Sequence, residues 1–310
     1  MGGEMSWKMM PRNFLLLTAV SLLLGVPLCQ AQEVSGSALA QPPQFGLSPT
    51  ESDIYCAGFF THRPIETGLF VLGSSDGGFK NEFADRDMIY LNKGQGWITA
   101  PGGQYMLLRP VKDINPRELF PGQRKVVSGL GDLYAEIARI QIRVLHPGSA
   151  TAEVLSSCEP VQAGDIAVPW QARTAPTYHA TRIVDRFAPA SGKTTGLIAA
   201  AKEFRQSLGE GNIVYLNVGR NQGVQVGSYL RIFRSYLSWD SDEFAPAARN
   251  YPVESMQGSM GHRLSYEERA SLPRDVLGAV LLLAVEEDSS TGIITFAREE
   301  VTPGDEVELE

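Results

Sequence analysis

The chain carries one long pattern twice. Its first occurrence is Asp87-Met88-Ile89-Tyr90-Leu91-Asn92-Lys93-Gly94, a polar turn ending Gly102-Gly103, then Tyr105-Met106-Leu107-Leu108-Arg109. Its second is Asn212-Ile213-Val214-Tyr215-Leu216-Asn217-Val218-Gly219, a turn ending at Gly227, then Tyr229-Leu230-Arg231-Ile232-Phe233-Arg234. Self-similarity on this scale constrains the whole fold, whereas a single motif constrains only a site. The likeness extends outward: Thr67-Gly68-Leu69 matches Thr195-Gly196-Leu197, and Ala163-Gly164-Asp165 matches Pro303-Gly304-Asp305. The spacing between copies varies, and the insertions fall between apolar runs, where loops tolerate them.

Short apolar or β-branched runs separated by Gly, Pro and Asp clusters predict a mainly all-β protein made of two related small barrels. In the first copy, strands are expected at 53–60, 68–74, 87–92, 104–109, 133–145, 151–157 and 165–169. In the second they are expected at 181–188, 195–201, 212–217, 228–235, 275–286, 292–298 and 305–309. The run from Val276 to Val285 is almost continuously apolar, which suits a strand buried on both faces. A long insert, 236–274, holds Ser265-Tyr266-Glu267-Glu268, a capping-box pattern for one short helix ending near Pro273. The expected organisation is 32–52 as a flexible leader rich in Gln, Ser, Ala and Pro, 53–170 as the first barrel, 171–180 as a linker, and 181–310 as the second barrel.

The first thirty-odd residues determine the compartment. Lys8 and Arg12 precede an apolar run from Phe14 to Leu28, and Cys29-Gln30-Ala31 places small residues at −3 and −1. This describes a signal peptide, 1–31, cut after Ala31 and too short to serve as a membrane span. Cys29 as a lipidated residue is the weaker alternative, because Leu28 stands where a small residue is wanted. The expectation is a periplasmic or otherwise exported protein that is not integral to the membrane after cleavage. The formal net charge is −8, and cleavage of 1–31 removes more cations, Lys8 and Arg12, than anions, Glu4. An acidic chain with no basic stripe repels phosphate backbones, so nucleic acid is excluded as an expected partner.

Two cysteines remain after cleavage, Cys56 in the expected opening strand and Cys158 near the end of the penultimate strand of the first copy. The second copy carries Val184 and Arg298 at the matching places. An even count in an oxidising compartment favours a Cys56–Cys158 disulfide over two free buried thiols.

The turn Gly219-Arg220-Asn221-Gln222-Gly223-Val224-Gln225-Val226-Gly227 has a physical logic. Glycines permit positive φ where the chain reverses, and Val224 and Val226 can plug the end of a small barrel. Together with Tyr215-Leu216-Asn217-Val218, it resembles the strand, Asn-x-Gly, Gly-Val-x-x-Gly, strand signature of SH3-like barrels in bacterial envelope proteins. The chain is similar in this respect to the C-terminal domain of flagellar assembly protein T and to modules in LysM-associated envelope proteins. The resemblance covers about a quarter of each copy. It implies a periplasmic, non-catalytic assembly role. The first copy departs from it, with Gly96-Trp97-Ile98-Thr99-Ala100-Pro101 in place of the Gly-Val segment.

Catalytic look-alikes are poor. Gly73-Ser74-Ser75-Asp76-Gly77 fits a nucleophile elbow, but the strand-helix alternation that would make Ser75 a hydrolase nucleophile is missing. Gly192-Lys193-Thr194-Thr195 resembles the end of a phosphate loop whose first glycine is replaced by Phe187. His62, His146, His179 and His262 are scattered without ligand spacing, so no metal and no cofactor are expected. What remains is an envelope scaffold or assembly protein that binds another protein. A glycan (peptidoglycan)-binding module is the alternative, since Trp97, Trp170 and Trp239 could stack on sugar rings. The candidate contact residues are Trp97, Arg220, Asn221 and Gln222 in the repeated turns, with Trp239 and Tyr251 in the insert segment 236–262.

Overall fold

The computed structural model describes residues 49–74, 80–112, 118–179, 185–235 and 265–310. All of them lie in one compact unit, Gln44–Glu310. Among the described residues, thirteen strands and three short α-helices make a mostly-β structure. Six strands form a closed barrel: β8 (Thr195–Ala201), β9 (Ile213–Leu216), β10 (Tyr229–Arg234), β11 (Asp275–Val285), β12 (Ser290–Ala297) and β13 (Glu306–Leu309), in the order β10-β11-β12-β9-β8-β13. Their partners in the first half are β2 (Val71–Ser74), β3 (Met88–Leu91), β4 (Gln104–Pro110), β5 (Asp132–Leu145), β6 (Ala150–Ser157) and β7 (Ile166–Pro169). These run β2-β3-β6-β5-β4-β7, the same order strand for strand. The outer strands β2 and β7 meet through the Phe70–Ile166 bridge and backbone bonds from Val71 N to Asp165 O and from Gly164 N to Val71 O. The second barrel repeats both bonds, from Ile198 N to Asp305 O and from Gly304 N to Ile198 O.

The repeat also fixes identical polar buttresses. The Gly-Asp pair places a buried carboxylate under a strand arginine: Asp165 takes Arg109 at 2.8 Å, and Asp305 takes Arg234 at 2.6 Å. Each aspartate also accepts a backbone N–H three residues back, from Gln162 and Thr302. The Asn of each Tyr-Leu-Asn accepts from a strand N–H, Asn92 from Phe70 and Asn217 from Leu197. Phe70 is therefore the counterpart of Leu197. The Thr-Gly-Leu match, which sets Leu69 against Leu197, is one residue out of register, a slip that would turn β2 over. A further shared constraint is close approach at Gly94 and Gly219. A Cβ there would sit 2.0 Å from His146 O and 2.4 Å from Glu287 O, respectively, on the facing hairpin.

Two expected elements differ. Residues 53–60 are not one strand: α1 (Glu51–Tyr55) comes first, then β1 (Phe59–Thr61). Thr50 and Asp53 make a capping box, with Asp53 N donating to Thr50 Oγ1 at 3.2 Å and Thr50 N to Asp53 Oδ2 at 2.8 Å. That local bonding outweighs the strand-like Ile54-Tyr55-Cys56. Cys56 is consequently the C-cap of α1 and not a strand residue. In the second copy, 180–184 lie outside the described residues, and 185–188 make a turn closed by Ala188 N to Asp185 O. A helix the sequence did not suggest, α2 (Gln123–Ser128), precedes β5, while the capped helix of the insert is present as α3 (Tyr266–Ser271). Ser265 and Glu268 exchange the expected capping bonds.

Each barrel has its own apolar interior, around Ile89, Leu107 and Ile140 in the first and Leu216, Ile232 and Val280 in the second. A third cluster joins the halves. Ala57, Phe60, Val127, Leu130 and Leu133 of the first half pack against Ala199, Ile213, Tyr215, Leu281, Leu283 and Ile293, which line the outer wall of the second barrel. Strand β11 is thus buried on both faces, as its continuous apolar run predicts. Residues 171–179 are irregular yet anchored: Arg173 donates to Ile54 O at 2.8 Å and pairs with Glu136, and His179 N donates to the Tyr229 hydroxyl at 2.8 Å.

Candidate interaction surface

The repeated turns hold most of the sequence-derived candidates, and their polar side chains, although exposed, are bonded to neighbouring backbone and side chains of the same fold. Arg220–Gln222 forms one turn of 3-10 helix. Arg220 donates to Val285 O at 3.0 Å, Asn221 to Asp288 at 2.8 Å, and the Gln222 carboxamide accepts from Gly219 N at 2.8 Å. Arg220 and Asn221 latch the β9–β10 turn to the β11–β12 hairpin, and Gln222 closes the turn on itself. Gly223 and Gly227 take positive φ, 84° and 87°, whereas Gly219 is extended and serves close approach instead. Val224 plugs the barrel at 2% exposure, but Val226 points out at 46%. Beside them lies an open groove of about 410 Å³, floored by Val224, Val226 and Val285.

In the first copy the turn differs in sequence but not in role. Ile98 N donates to Gly94 O as Val224 N does to Gly219 O, and Ile98 is buried at 3%. Ile98 is therefore the plug, reached one residue sooner after its glycine than Val224 is, and Trp97 beside it is turned outward at 61% exposure. Lys93 Nζ lies 4.9 Å from the Trp97 ring centroid, a cation–π contact that leaves the ring presented to solvent. Trp170 behaves otherwise: it is half-buried, with the Arg139 guanidinium 3.9 Å from its ring centroid and Tyr55 at 5.9 Å. Trp239, Tyr251 and Ser75 lie outside the described residues.

Cys56 and Cys158 form a disulfide, with Cα atoms 5.5 Å apart. It ties the end of α1 to the end of β6, and a disulfide in the folded chain fits an oxidising compartment. It also fixes the base of the segment Ala57–Thr61, which sequence reasoning did not single out. That segment is an arm laid between the two barrels. On one side β1 pairs with β5, Phe60 opposite Leu133. On the other side it meets hydroxyls in place of a strand: Tyr215 donates to Ala57 O at 2.9 Å, Thr291 to Gly58 O at 2.9 Å and Ser289 to Phe60 O at 3.0 Å. Phe60 packs edge-on against Tyr215, with centroids 5.3 Å apart. Gly58 takes φ +72°, and a Cβ there would be 3.0 Å from the Tyr215 hydroxyl. Its N–H is held by the buried Glu136 at 3.1 Å.

The electrostatics follow from this burial. Desolvation pushes the Glu136 carboxyl up, opposed by Arg173 and the Gly58 N–H. Burial, with Glu136 nearby, holds the Tyr215 phenol far above its usual value, so it stays a donor. A cleft of about 260 Å³ opens beside the arm, lined in part by Gly58, Arg109, Lys202, Phe204 and Tyr215. At its lip Glu203 and Phe204 take successive left-handed conformations, φ 58° and 52°, each costing on the order of 1–3 kcal/mol. Lys202, which donates to Cys56 O at 2.8 Å, and Phe204, packed on the joining cluster, hold that kink in place.

Among the described residues, no group of three or more His, Cys, Asp or Glu side chains could hold a metal, and no helix is long and apolar enough to cross a membrane. Gly192-Lys193-Thr194 leads into strand β8, not into the helix N-terminus that a phosphate loop needs. No protein-family model matches the chain, and no curated protein matches it.

Proposed function

We propose that this is an exported, non-catalytic protein-interaction or assembly protein of a bacterial cell envelope, delivered by the signal peptide 1–31 and built from two SH3-like barrels. The observation that carries this reading is the division of labour in the repeated turns. Their polar residues are spent on latching the fold, while Trp97 is held outward at 61% exposure at a barrel end. An exposed, braced aromatic is a contact residue for a partner surface. The resemblance to the C-terminal domain of flagellar assembly protein T points to the same class of role, and the disulfide suits the periplasm.

The test is in-cell crosslinking of the mature protein with mass spectrometry, comparing wild type, Trp97→Ala and a chain lacking 236–262. A defined envelope protein captured by wild type and lost in either variant supports the reading and locates the contact. Recovery of the same abundant proteins from all three removes it. The exposed Trp97 ring also favours the glycan reading, in which the protein sediments with purified sacculi and Trp97→Ala does not.

A further inference from the structure

The arm that covers the second barrel is received by three side chains, Tyr215, Thr291 and Ser289, and the repeat places the same three on the first barrel. Tyr90 is the counterpart of Tyr215, each in the Tyr-Leu-Asn of its copy, and Ser149-Ala150-Thr151 corresponds to Ser289-Ser290-Thr291. The register agrees: Thr291 pairs with Tyr215 across β12 and β9, and Thr151 pairs with Tyr90 across β6 and β3. In the second barrel the three hydroxyls are buried under the arm, Tyr215 at 4%, Ser289 at 3% and Thr291 at 1%. In the first they are half-exposed. Leu72 at 53% and Val144 at 47% exposure flank them there, with Met88 half-buried and the Arg143–Glu153 ion pair at the edge of the same wall. The Tyr90 and Ser149 hydroxyls have no partner among the described residues. His146 Nε2 lies 2.9 Å from Thr151 Oγ1; with a proton on Nε2 it donates, leaving the threonine hydrogen for a carbonyl.

We infer that the outer wall of β2, β3, β6 and the end of β5 is a receptor for an extended segment of a partner protein, laid down as Ala57–Thr61 is laid on the second barrel. The chemistry of that segment is read from the arm: a small residue, a glycine at positive φ that lets the backbone approach the tyrosine hydroxyl, any residue, then an aromatic against the tyrosine ring. Main-chain carbonyls meeting a row of hydroxyls give affinity, and the aromatic gives register. The chain's own arm cannot serve, because the disulfide and its pairing with β5 commit it to the seam between the barrels. This inference rests on the protein-interaction reading above and names the surface that reading requires.

The test titrates the oxidised mature protein with a synthetic peptide of residues 57–63, Ala-Gly-Phe-Phe-Thr-His-Arg, carrying a photo-reactive phenylalanine at position 60. Saturable binding, crosslinks within 88–91 or 149–153, and at least tenfold weaker binding to the triple variant Tyr90→Phe, Ser149→Ala, Thr151→Val are the expected results. Leu72→Glu on the same wall gives a second, independent loss while leaving all three hydroxyls in place; both variants are first matched to wild type by thermal melt. Absence of saturable binding, or binding unchanged in both variants, overturns the inference. Self-association of the wild type that the triple variant loses assigns the wall to a second copy and likewise overturns it. If the in-cell crosslinks persist in the triple variant, the interaction reading stands and this surface falls; if they are absent from wild type, the reading itself falls.

Discussion

The two barrels share strand order, closing bonds, Arg–Asp buttresses and the tight glycine turn, yet their outer walls differ. Positions held by Leu281, Leu283 and Ile293 in the second barrel are Gln141, Arg143 and Glu153 in the first, where Arg143 and Glu153 pair at 2.6 Å. The inward-facing positions set the barrel in both copies, and the outward-facing ones record what covers each wall. Burial of each large apolar side chain contributes roughly 1.5–3 kcal/mol, so the seam, which buries the wall of the second barrel against the arm and Leu133 of the first half, is a major source of stability for both. The first barrel is also stapled: its disulfide spans 102 residues, and the second barrel has none among the described residues.

That contrast can be broken most severely at the staple. Replacing Cys56 and Cys158 together by serine removes on the order of 4–5 kcal/mol by the chain-entropy relation for so long a loop, less any native strain. In denaturant melts with hydrogen exchange, protection falls first along Ala57–Thr61 and the seam, and last inside the second barrel. Uniform loss across both barrels would show that the halves unfold as one unit.

Next in size are the buttresses. Asp305→Ala leaves Arg234, 13% exposed, without its buried carboxylate and costs about 3–5 kcal/mol. Asp165→Ala costs less, because Arg109 is 27% exposed and keeps Glu159 at 3.6 Å. Equal midpoint shifts in urea would refute the asymmetry.

The tyrosine pair separates the covered wall from the open one. Tyr215→Phe strands the Ala57 carbonyl in a buried seam and costs about 1–3 kcal/mol. Tyr90→Phe changes stability by no more than about 0.5 kcal/mol. Thermal melts of the two single variants decide the point.

The smallest effect is one of sign with pH. For Glu308, burial favours the neutral acid, but hydrogen bonds from Arg274 and Ser191 N, with the charges of Arg274 and Arg231, bring its pKa below the usual carboxylate value. Its contribution is present above the ordinary carboxylate range and is lost as pH falls through the depressed value. Glu136 is shifted the other way by desolvation, so between the ordinary and raised values stability falls as pH rises. Glu308→Gln therefore flattens the acid limb of the stability–pH curve, and Glu136→Gln flattens the slope above it. Matching slopes in both variants would mean that the two carboxyls share one environment.

Much of this architecture is legible in the chain because strand periodicity is a local signal. Strand β8 falls at 195–201 as expected, and most others fall within a residue or two. What fails depends on contacts that local pattern does not carry. Ile54-Tyr55-Cys56 alternates like a strand, but the Thr50–Asp53 cap turns it into helix α1. Val224 and Val226 look alike, and only the fold buries one and exposes the other. Arg220 and Asn221 look like a polar contact surface because their acceptors, on the β11–β12 hairpin, are some 65 residues away. The Ser-x-Thr of β12 reads as an ordinary solvent face until the arm is placed on it; its recurrence at 149 and 151 was the available signal.

The arm also sets an order in time. Chains are made N-terminus first, so the first half emerges with Phe60, Leu130 and Leu133 facing solvent and nothing to cover them. These side chains are three of the seam residues whose partners, Ile213, Leu281 and Ile293, are synthesised last. The Cys56–Cys158 bond can close as soon as residue 158 is out, fixing the arm before the second barrel exists. The first barrel then acts as a preformed template on which the second condenses. The interval between the two events is when the chain is most exposed to misassembly with another copy of itself.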